Sequence, residues 1–147
     1  MHIRNARQTD IDALVEMLSE LFSLEQDFQP HPRLQATALS MILDDPSYYL
    51  MVAADAEDRP IGLFTLHTLI STAEGGRVGL VEDLFVIRSQ RGRGFGRALL
   101  AEAERIVRRE GLLRLQLLAD RDNSPALIFY QKNGWSRTSL VALRKLP

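Results

Sequence analysis

The sequence predicts an α/β fold: a mixed, largely antiparallel sheet whose fourth and fifth strands run parallel, with helices on both faces. Three observations carry that prediction. Two apolar runs, Tyr48 to Ala54 and Ile61 to Leu69, are joined by the short polar stretch Asp55 to Pro60 and read as antiparallel partners. A third run, Arg77 to Ile87, follows the punctuation of Gly75 and Gly76 and extends the meander as its central strand. A helical stretch, Gly94 to Glu110, then separates this strand from the leucine-rich Leu112 to Ala119. A strand, helix and strand in that order imply a parallel, right-handed crossover.

The remaining elements follow in chain order. His2 to Asn5 reads as a short strand, and Thr9 is a plausible N-cap for a helix through about Phe22. Ile11, Leu14, Val15, Leu18, Leu21 and Phe22 recur at helical spacing and form one core-facing stripe. Pro30 and Pro32 break the pattern before a weaker helix from Arg33 to Leu43. In the long helix, Ala98, Leu99, Ala103, Ile106 and Val107 face the sheet, Arg105, Arg108 and Arg109 face outward, and Gly111 supplies the C′ stop. The strand Leu112 to Ala119 reads as buried. Ser124 and Pro125 suit the N-cap and first turn of a short helix ending at Lys132 or Asn133, with Gly134 at its C′ position. Trp135 to Leu146 can supply a bent final strand or hairpin.

Composition bounds the function. A chain of 147 residues that is 46% hydrophobic and 25% charged fits one soluble globular domain, 1–147, with no room for a second. Eighteen basic residues against nineteen acidic ones leave a net charge of −1, so no global field recruits nucleic acid or an anionic membrane. The absence of cysteine excludes disulfides, thiolate metal sites and a cysteine acyl-enzyme. His2, His31 and His67 lack ligand spacing, so no metal is expected. With no signal-peptide pattern and no long apolar run, cytoplasmic localisation is the expectation.

The chain is organised around the turn Gln90-Arg91-Gly92-Arg93-Gly94-Phe95-Gly96-Arg97, three glycines at alternate positions with arginines between them. Such a turn at a helix N-terminus makes a phosphate cradle, because unpaired N–H donors and the positive end of the helix dipole converge there. A P-loop would need a lysine after its last glycine, and the region has none. A dinucleotide fingerprint would need different glycine spacing and a nearer acid than Asp120.

Arg91-x-x-Gly94-x-Gly96 after the strand Val81-Glu82-Asp83-Leu84-Phe85-Val86, followed by Asn123 to Ala126 and Phe129-Tyr130 before Gly134, resembles the acetyl-CoA signature of the GCN5-related N-acetyltransferases (GNAT). Within that family, the Glu-Asp-Leu-Phe-Val strand and the Phe-Tyr ending look most similar to the polyamine-acetylating branch. The resemblance implies that strands 4 and 5 splay apart and that the pantetheine arm of acetyl-CoA pairs with the backbone of Leu84, Phe85 and Val86. It also implies a pyrophosphate on the N–H groups of Gly92, Arg93, Gly94, Phe95, Gly96 and Arg97. Arg91, Arg93 or Arg97 adds charge, and Asn123 and Ala126 stand on the pantetheine side. Asn123 is equally a helix-entry residue. A homodimer is a further implication, although no feature of the sequence identifies an interface.

The implied chemistry is direct attack by an amine on a thioester. An alkylammonium has a pKa near 10, so only about one molecule in a thousand is free base at neutral pH. Glu82 is the candidate base, directly or through water, with Asp83 second. Strand alternation predicts that only one of these neighbours looks into the site, and the structural alternative for either is an ion pair with Arg77 or Arg88. A bulge near Phe85 or Val86 would free an amide for the oxyanion. The resemblance makes Tyr130 the acid that protonates the thiolate; otherwise it is an amphipathic core tyrosine. Glu20, Glu25 and Asp27 are candidate partners for a cationic amine, against the plainer reading of a solvated acidic segment. The implied reaction moves acetyl to a primary amine, with a small-molecule amine or polyamine favoured; the alternative is a non-catalytic acyl-CoA-binding or sensing module.

Overall fold

The computed structural model describes residues 2–146. It divides into two compact units, Met1–Leu117 and Leu118–Pro147. The first holds a five-stranded sheet in the order β1 (His2–Asn5), β2 (Tyr48–Ala54), β3 (Pro60–Ser71), β4 (Gly76–Val86), β5 (Leu115–Leu117). The first three pairings are antiparallel and β4 with β5 is parallel. β3 is therefore the central strand, and β4 lies one place from the edge.

Alternation along the strands sorts the core into two layers. Leu50, Val52, Leu63 and Phe85 face α1 (Ile11–Leu24) and α2 (Pro32–Asp44), packing against Leu14, Met17, Leu18 and Leu39. Met51, Ala53, Phe64, Leu66 and Val81 face the opposite way, onto Leu99, Ala103 and Ile106 of α3 (Phe95–Glu110). Leu100 is also buried, whereas Ala98 is only half-buried, so the inward stripe of α3 is rotated slightly from the sequence expectation.

Thr9 does not cap α1. A 3-10 turn, Gln8–Asp10, precedes the helix, and its fold-back is held by the Asp10 carboxylate, which accepts the Arg7 backbone N–H at 2.7 Å. Arg4 closes the same corner with two hydrogen bonds to Asp10, at 2.7 and 3.1 Å, and two to Asp58 in the β2–β3 turn, to its carboxylate at 2.7 Å and its backbone carbonyl at 3.1 Å. Gly111 ends α3 at φ +65°, as its sequence position predicts.

A bulge in β4 organises the site. Thr65 pairs with Glu82 but Leu63 pairs with Phe85, so Asp83 and Leu84 together oppose Phe64. Asp83 takes up the inserted turn at φ +56°, a conformation that aspartate tolerates better than most side chains. The extra residue inverts the alternation: Val81 faces α3, whereas Phe85 faces α1 and α2. It also ends the parallel ladder, which stops at Val81↔Leu117. The buried strand expected over Leu112 to Ala119 is consequently three residues long, with Leu113 and Leu118 exposed.

The second unit contains α4 (Ser124–Lys132). Its N-cap is Asn123, not Ser124, and the Asn123 Oδ1 accepts the Ala126 N–H at 3.2 Å. Gly134 adopts φ +85° just past the helix end. Residues 135–146 form no strand; a strand needs a ladder partner, and this segment pairs with none of the five.

Candidate active site

β4 presents two different edges. Its β3 side is paired along its length except at the bulge, while beyond Val81 its β5 side has no strand partner. The Ile87 N–H donates to Ile61 O at 3.0 Å, toward β3. Because successive amides point to opposite edges, the Leu84 and Val86 groups turn to the open side and that of Phe85 turns to β3. Of the two amides expected to meet an oxyanion, Val86 lies on the open edge. The bulge itself falls earlier than expected, at Asp83 and Leu84.

The basic glycine turn follows directly. Gly92 and Gly94 sit at φ +76° and +88°, conformations that side-chain-bearing residues rarely adopt. Gly94 is the N-cap of α3, and its carbonyl accepts the Ala98 N–H at 3.0 Å. The first-turn amides of Phe95, Gly96 and Arg97 are therefore oriented outward as donors, where the helix dipole favours an anion. No Cβ added at Gly92 or Gly94 would meet another atom within 4 Å, so these glycines answer a backbone requirement and not a crowded one.

Arg91 and Arg93 both make contacts within the chain. The Arg91 Nε donates to Val86 O at 2.9 Å, its guanidinium lies 5.1 Å from the Phe85 ring centroid, and Glu20 pairs with it at 3.6 Å. Glu20 is thus paired with the turn. Arg93 donates to Gln90 at 3.1 Å, and Arg97 is exposed.

The two carboxylates of β4 lie on the same face. Val81 faces α3, so Glu82 turns to the α1 and α2 side, where its charge helps burial to raise the Tyr48 hydroxyl above its ordinary range. Asp83, displaced by the bulge, lines a cavity of about 230 Å³ with Leu18, Phe22, Gln35, Leu39 and Ile42. The expectation that only one neighbour could look into the site fails because a bulge breaks the two-residue period. Neither carboxylate forms an ion pair with Arg77 or Arg88 among the described residues.

Burial pushes the Asp83 carboxyl up to about 6, and the charges of Glu82 and Glu25 add to the rise, while a hydrogen bond from the Thr65 hydroxyl at 3.3 Å opposes it. Thr65 is one of two buried polar residues among the described residues, and sequence reasoning passed over it. Its signal was a hydroxyl flanked by Phe64 and Leu66 within the apolar run Ile61 to Leu69. Glu25 follows the end of α1, and Asp27 lies in the irregular segment before α2.

In the second unit the Tyr130 ring packs against Phe129 and Trp135, with centroids 5.5 and 6.0 Å away. Asn123 and the Ala126 N–H are already spent on each other as a helix cap, which is the helix-entry role weighed for Asn123.

A parallel strand pair interrupted by a bulge, an open β edge beyond it, and a glycine turn feeding donors into a helix N-terminus define an acyl-CoA-dependent acyltransferase. The model of the Acetyltransferase (GNAT) family matches residues 11–135, and the chain belongs to that family. Over 136 residues it is 25% identical to an aminoalkylphosphonate N-acetyltransferase of Salmonella typhimurium, covering 92% of this chain and 85% of that one. A spermidine N(1)-acetyltransferase of Thermoplasma acidophilum is 33% identical over 86 residues, 58% of this chain and 50% of that one. Among solved structures, an aminoglycoside 6'-N-acetyltransferase of Acinetobacter haemolyticus superposes with a TM-score of 0.83 at 17% identity, covering 100% of this chain and 99% of that one. This last likeness shows the fold alone. The polyamine branch is only loosely supported, since the relatives' named substrates differ.

Proposed function

We propose that this acetyltransferase moves acetyl from acetyl-CoA to the primary amine of a small molecule by direct attack in a ternary complex. The observation that carries the proposal is the pair of carboxylates, Glu82 and Asp83, turned to one face beside the open edge of β4. An ammonium held there gives up a proton to a carboxylate, with Glu82 as the base and Asp83 the second candidate, directly or through water. The free amine attacks the thioester carbonyl, forming the C–N bond. The oxyanion meets an open-edge amide of β4; collapse of the intermediate breaks the C–S bond, and the nitrogen gives its second proton to solvent to leave the neutral amide.

Tyr130 is assigned the proton that neutralises the departing thiolate, and Asn123 and Ala126 the pantetheine side, on the strength of the motif. Main-chain groups of Leu84 to Val86 take the pantetheine amides, and those of Gly92 to Arg97 the pyrophosphate. Arg91 must release Val86 O for that pairing, which places its charge at the mouth of the cradle.

Incubation with acetyl-CoA and a panel of amines, read as free thiol, tests the proposal: release that depends on one amine supports it. Saturable binding of acetyl-CoA with no amine-dependent thiol would return the chain to a non-catalytic binding role. Tyr130→Phe is expected to lower kcat about tenfold or more with acetyl-CoA affinity retained. Unchanged turnover would remove Tyr130 from the mechanism.

A further inference from the structure

Three elements meet at Arg91. The 3-10 turn Arg88–Gln90 reverses the chain after β4, with the Gln90 N–H on Ile87 O at 2.9 Å and the Arg91 N–H on Arg88 O at 3.3 Å. That reversal returns the Arg91 side chain to the strand it has just left. Its Nε reaches Val86 O at 2.9 Å, and the Phe85 ring supports the guanidinium. Both contacts come from neighbours in sequence. Glu20 does not: it projects from α1 and meets the Arg91 Nη2 at 3.6 Å. Arg93, by contrast, donates to Gln90 within the turn itself.

Two of these contacts use groups that coenzyme A also needs. Val86 O lies on the open edge of β4, so the Arg91 Nε and a pantetheine amide compete for one acceptor. Glu20 and a diphosphate compete for one guanidinium, whose planar fork suits phosphate at least as well as carboxylate. Each exchange replaces a contact with another of the same kind, an N–H on a carbonyl and an anion on a guanidinium. The ion pair is also easily given up. Its side chains are 46% and 44% exposed, so the attraction is weak and screened by salt.

We infer that Glu20 is a positioning residue for the coenzyme, which acts through Arg91 by holding the guanidinium over Val86 O until a diphosphate takes its place. Coenzyme binding then frees α1 from the glycine turn. This inference rests on the acetyl-CoA reading and goes beyond it, since it makes an acid on α1 a competitor of the cofactor.

The test is calorimetry of coenzyme A binding to the full chain and to Glu20→Gln, each at low and high salt. Glu20 is exposed on α1, so the amide should leave folding undisturbed. Glu20→Gln is expected to tighten coenzyme A about two- to fivefold at low salt, the scale of one exposed ion pair, and the gain should fade at about 0.5 M salt. Removing an acid also favours any anion through the general field, so the change is repeated in an Arg91→Gln background, where it is expected to have no effect. The Arg91 Nε–H resonance, identified by its loss in Arg91→Lys, reads the same hold without turnover. It should exchange with water faster in Glu20→Gln and shift when coenzyme A is added. An affinity unmoved or lowered by Glu20→Gln, a gain that survives in the Arg91→Gln background, or a resonance indifferent to coenzyme A overturns the inference and leaves acetyl transfer standing. No heat with coenzyme A from either chain would instead remove the acetyl-CoA reading, and the exchange with it.

Discussion

Asp10 and Asp83 are the same residue in two opposite settings. Burial alone would raise the Asp10 carboxyl, but the two hydrogen bonds from Arg4, the Arg7 amide and the Arg4 charge hold it below its usual range. Asp83 has a hydroxyl where Asp10 has a guanidinium, and its nearest charges are negative, so burial drives it up to about 6. One carboxylate is spent on joining β1, the 3-10 turn and the β2–β3 turn. The other accepts the Thr65 hydroxyl and has acids, not a cation, as its nearest charges. A half-buried acid whose nearest charges are negative is a candidate for function, whereas a buried acid locked to a guanidinium reads as structure.

The sharpest way to break this contrast is to take the cation from Asp10. Arg4→Ala leaves a buried carboxylate uncompensated and is expected to cost about 3–5 kcal/mol in denaturant unfolding. A cost under about 1 kcal/mol would mean that water reaches Asp10 and that the two acids differ less than the contrast claims.

The mirror experiment is Asp83→Asn. Asp83 has a folded value near 6 against an ordinary 3.8, so its contribution to stability is fully present below pH 3.8 and is lost as pH rises through 6. At pH 8 the wild type therefore carries a penalty on the order of 2 kcal/mol, after allowance for partial exposure, which the amide removes. The variant should melt higher than wild type at pH 8, and the gain should vanish near pH 4. Its kcat/KM should fall about tenfold or more through loss of amine binding. A stability gain that persists at pH 4 would show that ionisation is not its source.

Glu82→Gln separates the neighbouring acid from Asp83. If Glu82 is the base, the rate loses its rise toward alkaline pH; an unaltered profile hands the role to Asp83 or water. The mildest change is Thr65→Val, which removes the donor that restrains Asp83. It should move the acidic limb of kcat/KM upward in pH and cost about 1 kcal/mol of stability. A downward shift would show that the Thr65 hydroxyl serves the protonated acid instead.

Much of the glycine turn's geometry was legible in the chain itself. The turn from Gln90 to Arg97 declares its geometry locally, since glycines at 92 and 94 answer a positive φ and the helix starts directly after Gly94. The stripe on α1 is a matter of period, and Ile11, Leu14 and Leu18 are buried as that period requires, together with Met17. Asp83 was legible as a residue but not as an environment. Nothing in Val81 to Val86 marks where an extra residue will be accommodated, because a bulge is a mismatch between two strands and belongs to neither alone. The short β5 was missed for the same reason: its leucines suggest a long buried strand, and the kink in its neighbour ends the ladder.

By itself, then, the sequence determined the glycine turn, the order and period of the elements and the family signature, because these depend on backbone conformations and spacings within a few residues of one another. Only the tertiary structure decided which way Glu82 and Asp83 face, how far the open edge of β4 extends, and what lines the cavity beside it. Those properties arise from the register of β4 against β3 and from the packing of α1 and α2 over both, and a charge acquires its pKa only when distant residues have displaced its water.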